Sequence, residues 1–118
     1  MGLLGCVIHG ESNISVGSKA FTEGYILGEL LSQKIEDAGK VKVKRRLGMG
    51  GTGILIEALL NNEIQLYVEY TGTISEAIIK DPSIRSFEAL EKRLSSLHLV
   101  MSKPLGFNNT YALALRQS

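Results

Sequence analysis

Several residue types that mark whole classes of protein are scarce in this chain. Its 118 residues include one cysteine, two prolines, no tryptophan, four tyrosines and three phenylalanines. A single cysteine excludes an intrachain disulfide framework and a cysteine-rich zinc site. Few prolines together with 44% hydrophobic residues argue against a disordered chain. The composition therefore predicts one globular domain.

The chain also lacks an excess of charge of either sign and lacks long apolar runs. The chain has 13 Lys and Arg against 12 Asp and Glu, a formal net charge of +1. This balance provides no overall field for holding nucleic acid or an anionic membrane. No apolar run approaches the roughly 18 residues that cross a bilayer.

Residues 1–12 differ from the rest, and we interpret them as a leader remnant or linker before a domain at 13–118. The run Leu3-Leu4-Gly5-Cys6 looks like the cleavage box of a bacterial lipoprotein, in which the cysteine carries lipid. A chain boundary or a clipped leader is the alternative explanation.

From Asn13 onward, strand-like and helix-like segments alternate. The expected strands are 14–16, 41–47, 64–70, 99–101 and 111–115, and the expected helices are 21–38, 54–60, 71–80 and one capped by Ser86. This alternation predicts an α/β fold with a mostly parallel sheet flanked by helices.

Two of the helices show apolar stripes and caps. In the first helix, Thr22 is the expected N-cap, and the apolar stripe comprises Phe21, Leu27, Leu30, Leu31 and Ile35. In the last helix the apolar stripe comprises Phe87, Leu90, Leu94 and Leu97.

The run Gly48-x-Gly50-x-x-Gly53 matches a dinucleotide-binding fingerprint between a strand and a helix. It follows the second strand rather than the first, and basic residues precede it. A nucleotide-binding enzyme domain built on Gly48–Gly53 is one interpretation. A tight turn that needs positive φ is the other.

Nothing else in the sequence points to catalysis or to a metal. The two histidines, His9 and His98, have no obvious partner, and no HExxH, GxSxG or phosphate-binding lysine motif occurs. We therefore expect no enzyme activity, no cofactor and no metal site.

The tyrosines are placed more informatively, because Tyr67, Tyr70 and Tyr111 lie at expected strand ends. Ligands of open α/β sheets bind at the carboxyl ends of the strands. Lys19, Thr71 and Thr73 lie at the same edge, so rings for a cation and donors for a carboxylate coincide there. The alternative is that the tyrosines are half-buried strand residues and Lys19 is a solvated loop charge.

Five ordered blocks resemble the glycine betaine/choline (osmoprotectant) substrate-binding proteins of ABC transporters. The blocks are Ser15-Val-Gly-Ser-Lys19-Ala-Phe-Thr-Glu23, Tyr25-Ile-Leu-Gly-Glu-Leu-Leu31, Gly50-Gly-Thr-Gly53, Tyr67-Val-Glu-Tyr-Thr-Gly-Thr73 and Pro104-Leu-Gly-Phe-Asn-Asn-Thr-Tyr-Ala-Leu113. The resemblance implies a periplasmic-binding-protein-like (type II) fold, of which 13–118 would be the first of two lobes.

By the same resemblance, Lys19 and Thr73 are expected to contact the carboxylate or hydroxyl of the ligand. Tyr70 and Tyr111 would form this lobe's part of an aromatic box around trimethylammonium. Asn109 stands where some relatives have Asp, so attraction of a cation there would be weaker.

The implied protein is a periplasmic or cell-surface solute receptor, lipid-anchored or fused to a permease, that delivers a quaternary ammonium ligand to an ABC permease subunit. Self-association into a homodimer through an uncovered cleft face is a further expectation.

Overall fold

The computed structural model describes residues 12–39 and 41–108. Strand β1 (Ser12–Lys19) is followed by helix α1 (Thr22–Ala38), strand β2 (Val41–Gly50) and helix α2 (Thr52–Leu60). A short helix α3 (Thr71–Thr73) continues as a π-helical turn (Ile74–Ile78), and helix α4 (Phe87–Ser95) comes last. None of the helices in these ranges is long and apolar enough to span a bilayer.

The two strands form a parallel pair, with Val16 opposite Arg45. On its other side β1 forms a parallel bridge from Val16 to Leu66. The amide of Gly17 donates to the carbonyl of Leu66 at 3.0 Å, and the amide of Gln65 donates to the carbonyl of Ser15 at 2.9 Å. Strand β1 therefore lies in the centre, which confirms the parallel α/β arrangement in the described part of the chain.

Several expected elements differ from the structure. The segment 64–70 pairs with β1 only around Leu66, and 99–101 has no strand geometry, so the prediction of continuous strands there is wrong. The helix expected over 71–80 ends at Ile78, and Lys80 has a positive φ of 60°. The strand expected over 111–115 lies outside the described residues.

The buried face of α1 consists of small residues rather than of the expected apolar stripe. Gly24, Gly28 and Ser32 are buried, whereas Phe21 is 37% and Leu30 57% exposed. A Cβ atom added at Gly24 would lie 2.7 Å from the backbone oxygen of Lys19. The helix therefore packs directly on the backbone of β1, which leaves no room for leucine side chains at this contact.

The helix caps agree only in part with the predictions. Thr22 is the first residue of α1 and makes no capping hydrogen bond, because Phe21 occupies the N-cap position. Ser86 caps α4 as expected, since its hydroxyl accepts from the amide of Ala89 at 3.3 Å.

Two apolar clusters form the core of the described residues. The first contains Leu55, Ala58 and Ile64 and fixes α2 beneath the sheet. The second contains Ile74, Leu90 and Leu94 and joins the π-helical turn to α4. Leu90 and Leu94 thus confirm two of the four residues of the predicted α4 stripe, whereas Leu97 lies beyond the helix and is 40% exposed.

An exposed charge cluster ties α1 to β2. The Arg45 Nε atom lies 2.8 Å from Glu29 Oε2, and its Nη2 atom lies 2.9 Å from Glu36 Oε2. Hydrogen bonds from Arg45 hold the pKa of both carboxyl groups below their usual range. The cluster stabilises the fold only while the carboxyl groups are ionised.

We expect Gly24→Ala to lower the free energy of unfolding by about 1–3 kcal/mol, because the new methyl group meets a backbone carbonyl that cannot move aside. The matched control is Gly53→Ala in α2, where a Cβ atom meets nothing within 4 Å. That variant should be unchanged or more stable by up to about 1 kcal/mol. Urea denaturation of both variants tests this, and equal stability would contradict the close packing of α1 on β1.

Arg45→Met should lower the urea midpoint at pH 7 relative to the parent chain. Because the folded-state pKa values of Glu29 and Glu36 are depressed, this stabilisation is fully present above about pH 4.3 and is lost as the pH falls through the lowered values. The midpoint difference should therefore shrink toward pH 3 (roughly the lower end of the carboxyl range). Lys44→Met on the same strand is the control, and a pH-independent difference would show that Arg45 acts by packing alone.

Candidate functional site

The carboxyl ends of β1 and of the segment beside it meet at one edge of the sheet. Lys19 ends β1, Glu69 and Tyr70 end the neighbouring segment, and Thr73 lies in α3 directly after it. We call these four residues the strand-end face. They line an open cavity of about 670 Å³.

The carboxylate of Glu69 is the centre of this face. Its Oε1 atom accepts from the Lys19 ammonium at 2.5 Å and from the amide of Tyr70 at 3.0 Å. Its Oε2 atom accepts from the Tyr67 phenol at 3.0 Å and from the Thr52 hydroxyl at 3.3 Å. With its side chain only 7% exposed, Glu69 has the several donors that an ionised buried carboxylate requires.

Tyr67 hydrogen-bonds to this carboxylate and does not line the cavity. Its ring packs against the cluster of Leu55, Ala58 and Ile64, and its phenol donates to Glu69. Burial raises the pKa of Tyr67 far above its usual range, and the negative charge of Glu69 raises it further. Tyr67 is therefore a permanent hydrogen-bond donor, and the prediction of a half-buried structural tyrosine describes it better than that of a ligand-facing ring.

The ring of Tyr70 lines the cavity and is held on three sides. The Lys19 Nζ atom lies 5.6 Å from the ring centroid, within cation–π range. The ring of Phe21 lies 6.3 Å away at a tilt of 34°. The phenol of Tyr70 donates to Glu23 Oε1. These contacts fix the orientation of the ring face.

Three of the five residues predicted from the sequence are thus neighbours, because Lys19, Tyr70 and Thr73 line one cavity. Asn109 and Tyr111 lie outside the described residues. Sequence reasoning missed Glu69, although an acidic residue between two tyrosines at a strand end was a visible signal. The alternative that Lys19 is a solvated loop charge is wrong, because Lys19 is only 11% exposed and ion-paired with Glu69.

Gly48 and Gly50 of the glycine-rich run lie at the end of strand β2, and Gly51 alone separates them from α2. Gly48 and Gly50 have φ values of 71° and 140°, which confirms the expected positive φ. A Cβ atom at Gly48 would collide with the Tyr25 phenol, and the amide of Gly48 donates to the Ser18 hydroxyl at 2.9 Å. The end of β2 thus packs against α1 before the chain enters α2 at Thr52.

Within residues 12–39 and 41–108, no group of three or more His, Cys, Asp or Glu side chains is arranged to hold a metal ion. The polar groups of the strand-end face are one ammonium, one carboxylate, hydroxyls and a ring face. This set can bind a polar or charged small molecule by noncovalent contacts.

These observations define an α/β domain in which the strand ends border an open, polar and aromatic cavity. The chain belongs to the OpuAC family, the substrate-binding domains of ABC-type glycine betaine transport systems, whose profile matches residues 12–118. The predicted family resemblance is therefore confirmed. The match is to a transport binding domain and gives no support to the nucleotide-dependent enzyme considered from Gly48–Gly53.

Three relatives illustrate the family. An ergothioneine transport permease/ergothioneine binding protein of Helicobacter pylori (strain G27) is 39% identical over 109 residues, covering 89% of this chain and 20% of the relative. The glycine betaine-binding protein YehZ of Escherichia coli (strain K12) is 31% identical, covering 93% of this chain and 38% of the relative. The carnitine transport binding protein OpuCC of Listeria monocytogenes is 31% identical, covering 91% and 37%. The chain thus spans between a fifth and two fifths of the length of these relatives.

Proposed function

We propose that this chain is the first lobe of an extracytoplasmic solute receptor that captures a quaternary ammonium compound, such as glycine betaine, choline or carnitine, for an ABC importer. The observation that carries the proposal is the Tyr70 ring, fixed beside Lys19 and Thr73 at the strand ends. Binding and release would involve noncovalent contacts and hinge closure, with no covalent chemistry.

The chemistry of the face supports a ligand that carries a cation and a carboxylate. Glycine betaine, carnitine and ergothioneine, which the relatives' names mention, all combine a trimethylammonium group with a carboxylate. A ring face attracts the first group. An ammonium and a hydroxyl, here from Lys19 and Thr73, suit the second.

Asn109 and Tyr111 complete the proposed ligand set. The chain turns back toward the cavity before them, since Phe107 and Asn108 line it. We infer that Tyr111 adds a second ring face to that of Tyr70 and that Asn109 offers an amide oxygen to the cation.

We expect the 118-residue chain, tested by itself, to bind its ligand weakly. A receptor of this type would enclose its ligand between two lobes, which excludes water and strengthens electrostatic contacts.

We infer that the permease subunit is the protein partner, that the chain acts in the periplasm or at the cell surface, and that lipid attachment or fusion to a permease holds it there. The permease named in the Helicobacter pylori relative is compatible with fusion.

Titration of the chain with glycine betaine, with amide NMR shifts as the readout, tests the role of Tyr70. The parent chain should bind glycine betaine with a dissociation constant on the order of millimolar. Tyr70→Ala should weaken binding by about 0.5–2 kcal/mol, because the ring face is lost. Tyr70→Phe keeps the ring face although it loses the hydrogen bond to Glu23, so it should bind about as well as the parent.

A matched ligand separates charge from shape in the same titration. In tert-butylacetate a carbon atom replaces the ammonium nitrogen, so the ligand keeps its volume and carboxylate but has no cation. It should bind the parent chain more weakly than glycine betaine does. Its affinity for the parent and for Tyr70→Ala should be the same, because it has no cation for the ring to attract. Equal affinity of the parent and Tyr70→Ala for glycine betaine would remove Tyr70 from the site.

The exposed apolar side chains beside the cavity favour self-association through the same face. Leu105 is 63% and Phe107 51% exposed, and both line the cavity. We expect sedimentation equilibrium to detect a dimer that Phe107→Ser weakens. A dimer unaffected by that substitution would place the contact elsewhere.

A further inference from the structure

Glu69 is the one acidic side chain of the strand-end face that the proposed ligand contacts do not use. Its carboxylate lies between the cavity wall and the core and accepts from four donors on three parts of the chain. A group with this many contacts has a fixed position. It therefore also fixes the position of the Lys19 ammonium that it holds at 2.5 Å.

We propose that Glu69 is a positioning and specificity-determining residue, which holds the Lys19 ammonium beside the Tyr70 ring and offsets its positive charge. This inference rests on the proposed function where it concerns ligand preference. Where it concerns the position of Lys19, it does not.

The geometry explains the effect on orientation. A lysine ammonium has three N–H donors, and Glu69 accepts one of them. That hydrogen bond restricts the directions of the other two N–H groups, which would otherwise rotate freely at the end of a long side chain. Glu69 thus orients Lys19 as a donor toward a ligand carboxylate or hydroxyl in the cavity.

The charge explains the effect on preference. An unpaired ammonium 5.6 Å from the Tyr70 centroid would repel a trimethylammonium group seated on that ring. Paired with Glu69, Lys19 still donates hydrogen bonds but presents little net charge. The face can therefore accept a cation without a carboxylate, such as choline, as well as a zwitterion such as glycine betaine.

Glu69→Gln tests both parts, because glutamine keeps the shape and one acceptor oxygen but removes the charge. The ratio of glycine betaine affinity to choline affinity, from NMR titrations of the full chain, should rise roughly two- to fivefold, the scale of a charge contact between Lys19 and a ligand in a cavity that is open to water. In the double variant Lys19→Met/Glu69→Gln the ratio should fall to the parent value or below it, because the charge that raises the ratio is gone and glycine betaine also loses the donor to its carboxylate.

Glu76→Gln is the matched control, since Glu76 is an exposed carboxylate that lines the same cavity. It removes the same charge without touching the ammonium of Lys19, and it should change the ratio less than Glu69→Gln does. An equal change in both variants would show a general charge effect and overturn the specific role of Glu69.

A ligand-free readout separates this inference from the proposed function. In the parent chain, heteronuclear NMR should show slow exchange of the Lys19 ammonium protons with water. Glu69→Gln should accelerate this exchange while the amide spectrum remains that of a folded chain. Unchanged exchange would overturn the positioning role. If the parent binds neither ligand, the proposed function and the preference fail together, and the exchange measurement still decides whether Glu69 positions Lys19.

Discussion

One nearly buried carboxylate organises the strand-end face of this domain. An ionised glutamate at 7% exposure is stable only where donors replace the water it has lost. Here Thr52 opens α2, Lys19 ends β1, and the amide of Tyr70 precedes α3, so the requirements of one side chain bring three elements together. Removing one partner of such a pair leaves a buried charge uncompensated, which is costlier than losing an exposed ion pair.

The geometry of the strand ends depends equally on close backbone approach. Gly24 and Gly28 allow α1 to lie directly on β1, and the positive φ and missing side chain of Gly48 allow the end of β2 to pass beside Tyr25. Lys19 is held where the helix meets the strand. A larger side chain at Gly24 would push against the carbonyl of Lys19 itself, so packing and site geometry are coupled at this residue.

The local sequence pattern predicted the order of the helices and strands well, but it predicted poorly which of their side chains are buried. Alternating segments were sufficient to expect parallel α/β structure, and the Ser86 cap follows from a local hydrogen bond. Periodicity failed on α1 because burial there is decided by the distance to a neighbouring backbone, which favours Gly24 over Leu30. It also failed on 64–70, which pairs with β1 only around Leu66 and then leaves the sheet.

The candidate site was predictable to the extent that it depends on topology. Parallel strands deliver their carboxyl ends to one edge, which is why Lys19, Tyr70 and Thr73 were expected to be neighbours. The ion pair was not predictable, because Lys19 and Glu69 are fifty residues apart in sequence and nothing local to either residue indicates the other.

The most direct test of the account is an intermolecular NOE experiment on the isotope-labelled chain with glycine betaine near saturation. The central claim is that a trimethylammonium group sits on the Tyr70 ring at the strand-end face. The account predicts NOEs from the ligand's N-methyl protons to the ring protons of Tyr70 and to the methylene protons of Lys19. NOEs confined to the apolar cluster of Ile74, Leu90 and Leu94, or none at saturation, would contradict it.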